Sequence, residues 1–173
     1  MPEAEPVVAA HRLRHDSAAA VGVPAHVSIL YPFCIVDDAT NALATAICRS
    51  FEPFRATFDA VGRFVGEVVW LRPDPSAAFS ALIAAFVAAF PDHPPYGGTV
   101  PNPIPHLTVA DGVEQSVADS LEEVLAPLLP VSTFVDHVTL LVEDDDQRWS
   151  VDRSWPLGMT ASQPTSTPPV RRS

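Results

Sequence analysis

At 173 residues, with 47% hydrophobic side chains, the chain can bury a full domain core, which excludes wholesale disorder. The formal net charge of −11 excludes broad electrostatic docking on duplex DNA. All ten basic residues are arginine, and without lysine neither a Schiff base, nor a P-loop lysine, nor the lysine nucleophile of ATP-dependent ligation is available.

The opening MPEAEP is acidic and lacks the basic start and apolar stretch of a signal peptide. No apolar run approaches the ~18–20 residues that cross a bilayer. A cytoplasmic protein with no membrane partner is expected. Cys34 and Cys48 read as two buried thiols rather than a disulfide.

In chain order, Glu5 to Arg14 reads as a strand of imperfect alternation, and Ala25 to Tyr31 as a strand stopped by Pro32. Asp37 and Asp38 offer an N-cap for a helix to about Ser50, with Leu43, Ala44 and Ile47 at helical spacing. Arg55 to Phe64 and Glu67 to Arg72 read as strands joined at Gly66. Asp74-Pro75 starts a helix that Pro91 ends. PDHPPYGGTVPNPIP is then a loop of the long kind that is often functional. Strand His106 to Ala110, a helix from Gln115 to Leu129, strand Thr133 to Val142, an acidic turn at Glu143 to Asp146 and strand Arg148 to Ser154 complete the order. Residues 1–158 are expected to form a single bilobal domain, and 159–173, rich in Ser, Thr and Pro, a disordered tail.

The same order of elements follows His26 and His106, which suggests two lobes related by a pseudo-twofold. Each histidine leads a His-x-Ser/Thr motif, in AHVSILYPF and PHLTVAD. Strand alternation puts His26 beside Ser28 and His106 beside Thr108, with Val27, Ile29, Tyr31, Leu107 and Val109 toward the core. Two imidazoles facing each other across a groove suit phosphodiester cleavage, one as base on the attacking oxygen and one as acid on the leaving oxygen. Ser28 and Thr108 would donate to the non-bridging oxygens. No metal or other cofactor is required, although the two histidines with Asp111 form a competing metal-binding reading.

HVSILYPF and PHLTVAD, with the approach GVPA and the loop PPYGG, resemble the paired signatures of the 2H phosphoesterase superfamily. The resemblance is to its 2′-5′ RNA ligase and cyclic nucleotide phosphodiesterase group. It spans about residues 5 to 158. It implies an α+β bilobal fold, with two antiparallel sheets lining a central groove and helices outside. It also implies cleavage of 2′,3′-cyclic phosphates or 2′-5′ linkages, with His26 and His106 catalytic and Ser28 and Thr108 on the phosphate. Members usually open with an apolar strand ahead of a segment like PEAEPVV, so an exposed sheet edge is expected where this chain starts with that segment.

Tyr96, in the Gly/Pro loop, is a candidate groove contact that would stack on a base. Trp70 and Trp149 read as core anchors, and His11, His15, His93 and His137 as structural or surface groups. Arg63, Arg72, Arg148 and Arg153 are candidates for phosphate neutralisation. The expected partner is a small nucleotide or an RNA end, bound by a monomer. The alternative is a nucleotide- or RNA-binding module that has the groove but little turnover.

Overall fold

The computed structural model describes residues 1–158, so the expected tail lies outside the described residues. The fold is α+β, with helices α1 (Glu5–His15), α2 (Ser17–Ala20), α3 (Asp38–Arg49), α4 (Ser76–Ala89) and α5 (Gln115–Leu125). The strands are β1 (Phe54–Phe64), β2 (Val68–Asp74), β3 (Leu107–Ala110), β4 (Val131–Val135), β5 (His137–Glu143) and β6 (Trp149–Pro156). They form two antiparallel sheets, one ordered β3-β2-β1-β4 and the other the pair β5-β6.

The four-stranded sheet is assembled from both sequence halves. Strands β1 and β2 form a hairpin from the first half, turned at Gly66 with φ +87°. Strand β3 adds to β2 and strand β4 to β1, and both come from the second half. Phe58, Leu71, Leu107 and Val109 of this sheet are fully buried, as are Phe79 and Leu82 of α4 and Leu125 of α5. Aromatic contacts extend that core, including Phe54 against Phe79 at 5.1 Å between ring centres.

The stretch read as a strand over Glu5 to Arg14 is helix α1. Pro6 fits the first turn, where its missing N–H is not needed, and Arg12, Arg14 and His15 complement the dipole of the last turn. Its buried stripe is Ala4, Val8, Arg12 and Asp16, spaced by four. The last two form an ion pair at 2.8 Å, so the stripe ends in charge rather than in apolar residues. Arg12 also donates to the Val23 carbonyl at 3.1 Å, tying α1 to the approach of the first motif.

Ala25 to Tyr31 is extended but is not a paired strand, a second correction. It is anchored at its ends. The Met1 ammonium donates to the Ala25 carbonyl at 2.6 Å, Glu5 accepts from the Ala25 amide, and the Tyr96 amide donates to the Tyr31 carbonyl at 2.7 Å. Between these anchors no backbone hydrogen bond joins His26–Leu30 to another described residue. The outer edge of β5 is likewise unpaired among the described residues. A cavity of about 1760 Å³ lies between the two. Consecutive residues line it, 23–36 on one side and 137–143 on the other. A cavity over a sheet face would show every second residue, so here two backbone edges face the space.

Two boundaries also differ. Thr133 to Val142 is not one strand, because the chain changes sheets at Asp136, whose carbonyl accepts from Leu157 N at 2.7 Å. The helix read to Leu129 ends at Leu125 and tightens into a 3₁₀ turn at Ala126–Leu128, where Pro127 supplies no amide for the ladder.

Candidate active site

Each motif histidine follows a proline-containing approach, Pro24-Ala25-His26 and Ile104-Pro105-His106. The two approaches produce the same local geometry. His26 Nδ1 lies 2.8 Å from the Pro24 carbonyl, and His106 Nδ1 lies 2.7 Å from the Ile104 carbonyl. A carbonyl only accepts, so each neutral ring carries its hydrogen on Nδ1 and presents Nε2 as an acceptor. Nothing in the individual motifs announces this match, but the backbone places it two residues upstream in both.

Val27, Leu107 and Val109 are buried, while His26, Ser28, His106 and Thr108 are half-buried. Alternation therefore operates in the first motif without a strand partner. All four of these polar side chains line the 1760 Å³ cavity. The Ser28 hydroxyl donates to His26 Nε2 at 3.1 Å. His106 stands against an aromatic wall, with Phe64 edge-on at 4.9 Å and Trp70 at 6.0 Å between ring centres. Phe64 and Trp70 stack on each other at 4.8 Å.

Burial holds both imidazoles below the ordinary histidine pKa, because the charged form loses water; the carbonyl bonds at Nδ1 oppose this in part. The Arg12 guanidinium lowers His26 further. Each ring thereby favours the neutral form more strongly than a free imidazole does.

The His-x-Ser/Thr spelling is not confined to these two sites. His15-Asp16-Ser17 and His137-Val138-Thr139 carry it as well. His15 ends a helix, so its hydroxyl partner does not share a strand face. His137 is half exposed, its Nδ1 is held by the neighbouring Asp136 carboxylate, and Thr139 is engaged by Ser154. Spacing alone does not separate the four; the carbonyl anchor does.

Tyr31 departs from the core-side reading, since the residue is 51% exposed. It meets Tyr96 and Trp149, each at 6.3 Å between ring centres, and all three line the cavity. Trp149 and Trp70 thus border the site, and the tryptophan deepest in the core is Trp155, whose indole donates to Asn41 at 2.9 Å. Three of the four candidate arginines are paired: Arg63 with Asp119 and Glu122, Arg72 with Asp59, and Arg153 with Asp152. Among the described residues no three His, Cys, Asp or Glu side chains gather as a metal-binding group, and Asp111 brings none together with His26 and His106.

The α+β fold thus brings two carbonyl-anchored imidazoles, each followed by a hydroxyl, onto one cavity. The model of the 2′-5′ RNA ligase superfamily matches residues 2–147, and the chain belongs to that family, which is part of the 2H phosphoesterase superfamily. The membership supports phosphoesterase or ligase-type activity in general. No curated protein matches the chain significantly. No described helix is long and apolar enough to cross a membrane.

Proposed function

We propose that the chain is a metal-independent phosphodiesterase acting on 2′,3′-cyclic phosphates or 2′-5′ linkages of nucleotides or RNA ends. The observation that carries this reading is the matched pair of Nδ1-anchored imidazoles, His26 and His106, on one cavity with Ser28 and Thr108. One neutral Nε2 takes a proton from the attacking water as its oxygen bonds to phosphorus. The other ring, as imidazolium, gives a proton to the departing 2′ or 3′ oxygen as its bond to phosphorus breaks. Ser28 and Thr108 donate to the non-bridging oxygens, where negative charge builds. The aromatic wall of Phe64 and Trp70 fixes the angle of the His106 ring.

The test is turnover of a 2′,3′-cyclic nucleotide in EDTA by the wild type and by His26→Ala, His106→Ala and His137→Ala. The first two variants are expected to lose about 10²- to 10⁴-fold in kcat while remaining folded. His137→Ala is expected to match the wild type. Turnover that returns only with added metal would overturn the mechanism. Retained binding with no turnover by the wild type would favour a binding module instead.

A further inference from the structure

The carbonyl anchors of the two motif histidines differ in what stands behind them. At His106 the anchoring carbonyl belongs to Ile104, and the next residue is Pro105, so that peptide carries no N–H. At His26 the anchoring carbonyl belongs to Pro24, and the same peptide carries the Ala25 N–H, which donates to the Glu5 carboxylate. The C=O and N–H of a trans peptide lie in one plane and point in opposite directions. Glu5 therefore grips from one side the peptide whose other side accepts from His26 Nδ1.

The first motif has no strand ladder to orient this peptide, because His26–Leu30 pairs with no other described backbone. Its neighbours are held separately. Val23 accepts from Arg12 at 3.1 Å and donates to the Ala18 carbonyl at 3.0 Å, while the Ala25 carbonyl accepts from the Met1 ammonium at 2.6 Å. Those contacts fix the peptides on either side and leave the rotation of the Pro24–Ala25 plane to Glu5. Glu5 is itself the first residue of α1, which buries Val8 and Arg12, so its backbone is set by a helix docked on the core.

The orientation matters because His26 has a second place for its ring hydrogen. With Nδ1 released, the ring would carry the hydrogen on Nε2 and donate it to Ser28, whose hydroxyl is 3.1 Å away. That tautomer has no lone pair on Nε2 and is lost as a base at that atom. His106 stands against Phe64 and Trp70 instead.

We infer that Glu5 is a positioning residue for His26, acting through the Pro24–Ala25 peptide that its carboxylate holds. This rests on the phosphodiesterase reading above for its catalytic consequence, and on the hydrogen-bond chain alone for its effect on the ring. A carboxylate thus orients one imidazole without touching it, and only one of the two histidines is served in this way.

The experiment reads the His26 and His106 tautomers from ring nitrogen shifts at about pH 8, where both rings are neutral. It is run on the wild type, Glu5→Ala and Glu5→Gln, beside kcat and KM on a 2′,3′-cyclic nucleotide. In Glu5→Ala, His26 is expected to lose its Nδ1–H preference while His106 keeps it. There kcat is expected to fall about 10- to 100-fold with KM changed less than about threefold. Glu5→Gln keeps an acceptor for the Ala25 amide and is expected to restore both the tautomer and the rate. Should Glu5→Ala fail to fold, Glu5→Asp, shorter by one methylene, is read in its place. A His26 tautomer unchanged on removal of the acceptor overturns the role of Glu5 and leaves the phosphodiesterase reading intact. Equal loosening of both rings, or a changed ring with unchanged kcat, overturns it as well. If the wild type shows no turnover, the phosphodiesterase reading fails, and the ring nitrogens still decide for or against Glu5.

Discussion

At the scale of single residues, the two motif histidines are set by backbone carbonyls rather than by carboxylate partners. With burial lowering both pKa values, the folded state disfavours imidazolium. An unfolded chain therefore binds more protons as pH falls below about 6.5. Stability from these groups is fully present above that value and is lost as pH falls through the lower native pKa values. His11, also lowered by burial, acts in the same direction, and so does the Met1 ammonium from about pH 8. Urea midpoints are expected to fall between pH 7.5 and 5.5, with a shallower fall in a His26→Gln/His106→Gln variant; equal slopes would contradict this. For turnover, the same shifts place the kcat/KM maximum on the acid side of pH 6.5.

Gly62 gives a second prediction at this scale. It pairs across strands with Trp70, and a Cβ there would come within 2.6 Å of ring carbons Cε2 and Cη2. Trp70 would have to leave its stack on Phe64, disturbing the wall behind His106. Gly62→Ala is expected to cost about 1–3 kcal/mol of stability in denaturant titration and to lower kcat.

At the scale of elements, the sequence was legible wherever one face alternates against the core. β1, β2, β3, α3 and α4 fall within a residue or two of their readings. Val27 against His26 and Ser28 keeps its alternation even without a strand partner. Helix α1 was not legible because its buried ridge ends in Arg12 and Asp16, a charged pair that pattern reading assigns to solvent. The change of sheets at Asp136 has no breaker residue, so Thr133 to Val142 reads as continuous. Tyr31 escaped because alternation stops predicting side once the chain turns toward Pro32.

The backbone edges at His26–Leu30 and β5 lead to a prediction at the same scale. Amides without a partner exchange with solvent faster than amides in a ladder. Deuterium uptake at residues 27–30 is expected to outpace that in β1, which is paired on both sides. Equal protection in native protein would mean that another strand covers these edges. The two-stranded β5-β6 sheet is itself marginal in isolation. It gains support where Trp149 N donates to Val21 O at 2.8 Å and where Trp155 anchors to α3.

For the molecule as a whole, the main sheet interleaves the two sequence halves, with β1 held between β2 and β4. A chain emerging from the ribosome cannot close that sheet until Val131–Val135 has been made. Folding must then wait for distant segments, which slows it relative to a protein built from local contacts. The halves should accordingly be unable to fold one after the other. Separately produced fragments 1–105 and 106–158 are each expected to lack cooperative unfolding and to regain it on mixing, followed by circular dichroism. A first fragment that folds cooperatively alone would contradict this. Because His106 is carried by the second half, the two imidazoles proposed as the acid–base pair can meet only after the first half and the approach to β3 have both been made.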